Sequence, residues 1–338
     1  MVTMKEIAAH VGVSQPTVSV VLNNKSSIVR ISTVTRKRIE DAAKELGYHR
    51  NAIARSMVTG RTNFIGYLNI NISSEFATRI LDGIMRECDQ RDFFVKIFPF
   101  YQDANFEAVA SRMFEQRPAG LICRSITKEM MDYLKVEARK LNIPVAFTGS
   151  TFPSDWGIRV GTVDREGVFA GVNHLLEKGH KRIAVVNLDY RRAFTRFRQD
   201  YFLEAMQNAG LKVPDQYLVT LSRDQGQTEE RVKQLMELPE PPTALFCIAG
   251  DAIAAQALRA LRKKNLRVPE DVSVMGYSGI TISRFVDPPL TTIFEPFEEI
   301  GRTAAKQLID EICRTERISL IKEQKIEIPS QLVIGEST

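Results

Sequence analysis

The chain has 338 residues, 44% of them hydrophobic and 26% charged, an ordinary balance for a globular protein and enough length for more than one domain. It contains no run of 18 apolar residues, and polar residues stand where a secretion signal needs its apolar centre, which argues against a membrane span and against export. Residues 1–61 contain ten Lys and Arg and four Asp and Glu, so this first fifth of the chain has a net charge of +6, while the remainder has a net charge of −1. We therefore expect a cytoplasmic protein with a phosphate-binding head and a nearly neutral body.

The first predicted elements are two short helices joined by a tight turn, within residues 3–23. Apolar residues of the first segment recur at helical spacing, and Gly12 supplies the turn. Ser14 is placed to cap the second helix, and Pro16 lies in its first turn. The buried side of that helix would consist of Val18, Val21 and Leu22. This pattern is typical of a helix-turn-helix DNA reader; the alternative is an ordinary helical hairpin.

A third helix is predicted at roughly 33–46, where Ser32 can cap its start and Gly47 ends it. Its predicted apolar stripe consists of Val34, Ile39, Ala42, Ala43 and Leu46. The basic segment that follows, residues 49–62, has little apolar surface, so it is predicted to be a linker that forms at most a marginal helix.

From Asn63 onward, apolar runs alternate with amphipathic helical stretches. The runs begin with FIGYLNI and continue through FVKIFPF, AGLICRS, IPVAFTG, IRVGTVD, RIAVVNL, PTALFCI and DVSVMGY. This alternation predicts an α/β fold whose mostly parallel sheets are covered on both faces. The length suggests two lobes, with a ligand cleft between them at the carboxyl ends of the strands.

No motif for metal, cofactor or catalytic chemistry stands out. The four cysteines, at positions 88, 123, 247 and 313, are widely spaced and form no metal-binding pattern, which favours a reducing compartment. The sequence has no GxxxxGK[ST] phosphate loop and no GxSxG elbow. We therefore expect neither a cofactor nor a metal, and no enzymatic activity.

Several runs, in order, resemble the LacI/GalR (lactose-repressor-like) family of transcription regulators. They are VSQPTVSVVLN, ELGYHRNAIARSMVTGRTNFIG, HLLEKGHKRIAVV, LRVPEDVSVMGY, DPPLTTIFEPFEEIGRTAA and IPSQLVIGEST. The resemblance implies an N-terminal three-helix helix-turn-helix head at 1–48, a hinge helix and linker at 49–62, and a two-lobed, periplasmic-binding-protein-like domain at 63–338 for effector binding and dimerisation. Lobe 1 would comprise about 63–163 and 295–328, and lobe 2 about 164–294 and 329–338. The chain would cross between them near 162–164, 292–296 and 327–330.

The resemblance also implies which residues of the head contact DNA. Major-groove contacts would come from Gln15, Pro16 and Val20, and phosphate contacts from Thr17, Ser19 and Asn23. Gln15 can pair bidentately with adenine. Val20 departs from the family, which commonly has Arg there, and can offer only an apolar contact such as one to a thymine methyl; the alternative is a plain core residue. We therefore expect an operator that differs from the commonest site of the family.

The segment NAIARSM matches the family's minor-groove hinge helix. Its candidate contacts are Asn51, Ala54, Arg55 and Met57. Met57 stands in the place of a wedge residue, usually Leu, that opens the central base step of a palindrome. The alternative is a structureless tether.

Seven residues are candidates for effector binding. Matching to the family proposes Phe76, Arg198 and Phe297, and the positions of Asp251 and Ser278 belong to family pairs that are altered here. Arg124 and Arg196 belong to a group of basic residues near the same region. Gly250 replaces the Asn of an Asn-Asp pair and Ser278 replaces an Asp, so groups that accept sugar hydroxyls are lost. Because basic residues accumulate in the same region, we expect an anionic effector such as a sugar acid or sugar phosphate. Solvated basic loops are the alternative.

Together these patterns predict a sequence-specific DNA-binding transcription regulator, a repressor in the family's usual mode. It would bind a pseudo-palindromic double-stranded operator as a homodimer under the control of a small-molecule effector, without a membrane partner. The alternative, a solute-binding protein without a role in gene control, would not need the basic head.

Overall fold

The computed structural model describes residues 2–22, 31–48, 62–70, 72–101, 105–149, 154–188, 193–222, 227–314 and 323–338. The chain divides into two compact units, Met1–Thr62 and Asn63–Thr338, here called the head and the body. Within the described ranges, none of the helices has the length and apolar run that a bilayer crossing requires.

The described part of the head contains helices α1 (Met4–Val11), α2 (Gln15–Leu22) and α3 (Thr33–Glu45). Gly12 ends α1 in the left-handed conformation, with φ of 74°, which a residue with a side chain adopts only at a cost. Ile7, Val18 and Ile39 bring the three helices together in one core and are fully buried. The prediction that Val34 belongs to the apolar stripe of α3 is wrong. It is 69% exposed, because a residue five positions before Ile39 lies on another side of the helix.

The first sheet of the body is entirely parallel, in the order β11-β5-β4-β3-β1-β2. The strands are β1 (Phe64–Asn69), β2 (Phe94–Pro99), β3 (Gly120–Arg124), β4 (Val145–Thr148), β5 (Ile158–Thr162) and β11 (Gln324–Ile328). Helices α4 (Glu75–Gln90) and α12 (Phe297–Cys313) pack on one face. Helices α5 (Phe106–Glu115) and α6 (Lys128–Leu141) pack on the other. This layer is lobe 1.

The second sheet has the order β12-β10-β9-β8-β6-β7, and only its pair β10–β12 is antiparallel. The strands are β6 (Ile183–Leu188), β7 (Leu218–Leu221), β8 (Ala244–Phe246), β9 (Ser273–Ser278), β10 (Thr291–Phe294) and β12 (Gln331–Val333). Helices α7 (Asp164–Glu177) and α8 (Ala193–Asn208) cover one face, and α9 (Gln227–Met236) and α10 (Asp251–Lys263) the other. The short α11 (Ile282–Phe285) follows β9. This layer is lobe 2, and the two sheets confirm the predicted α/β class.

Three stretches of chain connect the lobes. Residue 163 joins β5 to α7, residues 295–296 join β10 to α12, and residues 329–330 join β11 to β12. Each connection leaves the carboxyl end of a strand. The carboxyl ends of both sheets therefore meet at these crossings, which is where open α/β sheets bind ligands.

Candidate nucleic-acid interface and effector site

The start of α2 presents the predicted DNA-reading residues. Ser14 Oγ accepts a hydrogen bond from the Thr17 backbone N–H at 3.4 Å, which is the predicted cap. Gln15 and Pro16 are exposed, whereas Thr17, Ser19 and Val20 are half-buried. Among the described residues of the head, Val20 is not one that packs into the core, so it retains apolar surface for a partner.

The remaining predicted DNA contacts lie outside the described residues. They are Asn23 in the head and Asn51, Ala54, Arg55 and Met57 in the hinge. Their roles stay predictions.

At the crossings of the body, Arg198 is buried between two carboxylates. Only 5% of Arg198 is exposed, and its Nε and Nη2 lie 3.0 Å from Asp164 Oδ1, while Nη2 donates to Glu295 Oε1 at 2.8 Å. The guanidinium carbon lies 3.7 Å from the centre of the Tyr277 ring, a cation–π contact. We call Asp164, Arg198, Tyr277 and Glu295 the crossover cluster. Asp164 comes from the first crossing and Glu295 from the second, so the cluster ties both crossings to lobe 2.

Hydroxyl groups complete the cluster. Thr162 and Ser278 each donate to a Glu295 oxygen at 3.1 Å, and the Tyr277 hydroxyl donates to Asp164 Oδ1 at 3.1 Å. Burial raises the pKa of Glu295, while Arg198 opposes that rise. Although burial lowers the pKa of Arg198, Asp164 and Glu295 outweigh burial and hold it above its usual range. The predicted effector residue Arg198 is therefore already matched by protein carboxylates.

A second guanidinium, that of Arg124 at the end of β3, faces the aromatic ring of Phe76. Its central carbon lies 4.5 Å from the centre of the Phe76 ring, and that ring lies 6.0 Å from the ring of Phe297. Burial lowers the pKa of Arg124. Nη1 donates to Ser125 Oγ at 3.0 Å, but Nε has no hydrogen-bond partner among the described residues. The neighbouring strand places Thr148 opposite Arg124 in register, and the buried Thr148 Oγ1 likewise lacks a partner there.

The other predicted effector residues differ in their surroundings. Ser278 donates to Glu295, as described above. Asp251 is fully buried at the start of α10, where its carboxylate accepts from Ile280 N at 2.8 Å and from Thr292 Oγ1 at 2.5 Å. Burial raises the pKa of Asp251 to about 7, against the lowering effect of these hydrogen bonds. The side chain of Arg196 is 77% exposed, and its Nε lies 3.9 Å from Asp200 Oδ2, so the two form a loose ion pair on the surface.

Sequence reasoning did not identify the two carboxylates or Thr148 as site residues. The sequence prediction places Asp164 and Glu295 only within the crossings, at 162–164 and 292–296. The signal that could have found Glu295 is an acidic residue directly after the buried strand β10, at a predicted crossing.

A cavity of about 300 Å³ lies between lobe 1 and helices α7 and α8 of lobe 2. Its lining includes Gly149, Thr162, Asp164, Phe197, Tyr201 and Glu327. Two of these residues belong to or contact the crossover cluster. The volume is at the lower end of the range for small-molecule pockets, about 300–1,000 Å³.

Comparison with known proteins gives matches over the whole chain. Residues 3–51 match the family model of bacterial regulatory proteins of the lacI family, and residues 172–338 match that of the periplasmic binding protein-like domain. The HTH-type transcriptional repressor PurR of Escherichia coli O139:H28 is 30% identical over 336 residues, 98% of this chain and 96% of the relative. PurR of Salmonella arizonae is 31% identical over the same shares.

Solved structures share the fold. The Lac repressor dimer bound to operator and the anti-inducer ONPF superposes with a TM-score of 0.84 at 24% identity, covering 99% of this chain and 98% of that one. The CelR–cellobiose complex superposes with a TM-score of 0.74 at 24% identity over both full chains. The relatives are transcription repressors and not enzymes, as the sequence predicted for this chain. The chain therefore belongs to the LacI family of bacterial regulatory proteins, and it is a DNA-binding transcription repressor with an effector-binding domain.

Proposed function

We propose that this repressor binds a pseudo-palindromic operator as a cytoplasmic homodimer, and that a sugar-derived anion bound between its lobes controls its affinity for that operator. The +6 charge up to Arg61 supports the operator part, because neutralised phosphates release counterions and strengthen binding. A palindromic site requires two heads related by a two-fold axis. The Lac repressor, which has the same fold, was solved as a dimer on its operator.

Base reading by the head is proposed to involve Gln15, Pro16 and Val20, with phosphate contacts from Thr17, Ser19 and Asn23. The apolar surface that Val20 retains suits a thymine methyl. Selection of operators from random DNA tests this: the wild type should enrich one pseudo-palindrome, and Val20→Arg should change a single position per half-site towards guanine. A good bidentate contact is worth about 1–3 kcal/mol of discrimination. Val20→Ala is the matched control, which should relax that position without a new preference for guanine. Binding that is indifferent to sequence or to salt would contradict the proposal.

The hinge contacts proposed are Asn51, Ala54, Arg55 and Met57. Because a wedge residue acts on the central base step, Met57→Ala should weaken operator binding without changing the bases selected in the half-sites. A changed half-site preference would contradict a wedge role for Met57.

One observation carries the anionic effector: Arg124 Nε and Thr148 Oγ1 are both buried at adjacent strand ends, and neither has a partner among the described residues. A buried polar atom without a hydrogen bond costs about 1–3 kcal/mol, which a ligand oxygen at this point would recover. Arg198 is less suited to bind the anionic group, because it already forms ion pairs with Asp164 and Glu295. We therefore propose that Arg124 receives the acidic group of the effector and that Thr148 donates a second hydrogen bond to it.

The carbohydrate part of the proposal has separate support. The ring of Phe76 lies against Arg124, and the ring of Phe297 lies 6.0 Å from that of Phe76. Apolar faces of sugars stack on such rings while their hydroxyls bond to neighbouring polar groups. The similar fold of CelR holds cellobiose. Phe76 and Phe297 are accordingly assigned to the sugar ring, with Ser278, Asp251, Arg196 and Arg198 as the other predicted contacts.

Titration calorimetry tests the effector with gluconate and glucose 6-phosphate as anionic probes and glucose as the neutral probe. The anions should bind more tightly than glucose, and Arg124→Gln should weaken them at least about tenfold while glucose binding is unchanged, since a charge-assisted hydrogen bond is worth about 1.5–3 kcal/mol. Arg262→Gln, at an arginine of α10 that is 81% exposed and has no assigned effector contact, is the control and should have little effect. Tighter binding of glucose, undiminished by Arg124→Gln, would overturn the anionic effector.

A further inference from the structure

Lobe 2 reaches across to lobe 1 through the loop that follows β9. The last residue of β9 and this loop, residues 278–281, are together called the strap. Ile280 of the strap packs against the apolar core that α4 and α12 form in lobe 1. The next residue, Thr281, meets Glu75 in the first turn of α4: its backbone N–H donates to both carboxylate oxygens at 3.0 Å, and its hydroxyl donates to Oε1 at 2.7 Å.

Arg79 completes the contact from the lobe 1 side. Its Nη2 lies 2.6 Å from Glu75 Oε1 and donates to Thr281 Oγ1 at 3.3 Å. The side chains of Arg79 and Glu75 are only 37% and 29% exposed, so water screens these charges less than it screens an open surface pair. Residues more than 200 positions apart in the chain therefore share one charge-assisted network across the lobes.

The strap is also firmly anchored at its base. Asp251 accepts from Ile280 N, and Ser278 donates to Glu295. Gly279 adopts a φ of 65° and lies against Phe294, where a side chain would collide. Because the strap is held at three consecutive residues, it cannot bend freely. A contact made at its tip by Thr281 therefore restrains lobe 2.

We propose that Glu75 and Thr281 form a latch that holds the two lobes closed without an effector. Every group in the latch belongs to the protein, so closure has a favourable contribution that is independent of any ligand. The latch determines the fraction of effector-free molecules whose lobes are closed, and binding of an effector then shifts that fraction. The effect of an effector on the latch rests on the proposed function, in which the effector binds between the lobes. Closure by the latch without an effector does not depend on that proposal.

Hydrogen–deuterium exchange of the full-length protein without added ligand tests the latch. Glu75→Ala removes the acceptor in lobe 1, yet exchange should rise at least about tenfold at the Thr281 amide in lobe 2, because that N–H loses a charged partner. Thr281→Val, which removes only the hydroxyl, should have a smaller effect in the same direction. The matched control is Glu107→Ala, which removes an exposed carboxylate from the first turn of α5.

Small-angle scattering separates a latch from a mere contact. The radius of gyration of Glu75→Ala should exceed that of the wild type and of Glu107→Ala, since the open population grows. Exchange at Thr281 that matches the control would overturn the contact, and faster exchange with an unchanged radius of gyration would overturn its role in closure. If gluconate and glucose 6-phosphate both fail to bind the wild type while these two differences persist, the proposed effector fails and the latch stands.

Discussion

Replacement of Arg198 by Met tests whether the crossover cluster stabilises the body by charge matching. Met keeps much of the apolar stem but leaves Asp164 and Glu295 buried without their cation. Removal of one partner from a buried ion pair costs about 3–5 kcal/mol. We therefore expect Arg198→Met to lower the free energy of unfolding by about 3–5 kcal/mol at pH 8. Arg196→Met, two residues away but 77% exposed, should cost less than about 0.5 kcal/mol.

Urea unfolding followed by the fluorescence of Trp156 is the assay, since this sole tryptophan is buried against Phe147 in lobe 1 and the head contains none. The pH dependence gives a second check. Burial raises the pKa of Glu295 and Arg198 opposes this, so the pKa rises further in Arg198→Met. A carboxylate whose folded pKa exceeds its unfolded value destabilises the fold when it is ionised, and that penalty disappears as the pH falls. The difference between variant and wild type should therefore be smaller at pH 5 than at pH 8. Equal costs for the two arginine variants, or a difference that grows on acidification, would refute the reasoning.

Two further predictions concern other parts of the body. Because burial raises the pKa of Asp251 to about 7, the folded state binds the Asp251 proton more tightly than the unfolded state, and this carboxylate makes stability fall as the pH rises from about 4 to 7. Asp251→Asn should therefore flatten the dependence of the free energy of unfolding on pH in this range, measured by urea unfolding. An unchanged slope of that free energy against pH would contradict the raised pKa. Gly301 of α12 lies so close to the Ile80 carbonyl of α4 that a Cβ would collide with it. Gly301→Ala should therefore lower the free energy of unfolding by about 1–3 kcal/mol, as overpacking does, and a neutral effect in the same assay would show that the helices separate easily.

Most of the strands that the sequence predicts are continuous apolar runs because they are buried, although β2 is predicted and is only partly buried. β1 and β9 are buried along nearly their whole length, so their runs stand out. β7 and β11 were not singled out, because β7 has only four residues and β11 lies at the sheet edge without a fully buried position. Such short or edge strands acquire their identity from the neighbour they pair with and not from their own pattern.

The contents of the site were less predictable than its location. Resemblance to the family indicated Arg198, but its partners Asp164 and Glu295 lie 34 and 97 positions away and meet it only because two crossings converge. The latch joins Glu75 to Thr281 over 206 positions. Local patterns carry no information on such pairs, since periodicity reports the face of one element and not what that face meets.

Glu295→Gln links the crossover cluster to the choice of effector. Arg124 and Arg198 carry two positive charges, and Asp164 and Glu295 carry two negative ones, so the four side chains are neutral together. Gln has the shape of Glu and keeps an oxygen to accept from Arg198, while its amide can donate to Ser278 Oγ. The substitution therefore leaves the packing in place and changes the net charge to +1.

The expected consequence is stronger binding of an anion. Glu295 acts electrostatically on Arg124, so it also repels a negative charge that Arg124 holds. Two like unit charges about 8 Å apart repel by about 2 kcal/mol at an effective dielectric constant of about 20. Glu295→Gln removes this repulsion, so gluconate and glucose 6-phosphate should bind roughly 30-fold more tightly in calorimetry. Glucose, which carries no charge, serves as the internal control and should bind as before. An equal gain for glucose would mean that Glu295 restricts the site by its hydrogen bonds, and a loss for all three would mean that it binds the sugar directly. Only a gain in affinity confined to the two anions would show that the negative charge of Glu295 balances the buried arginines and thereby weakens the binding of an anion.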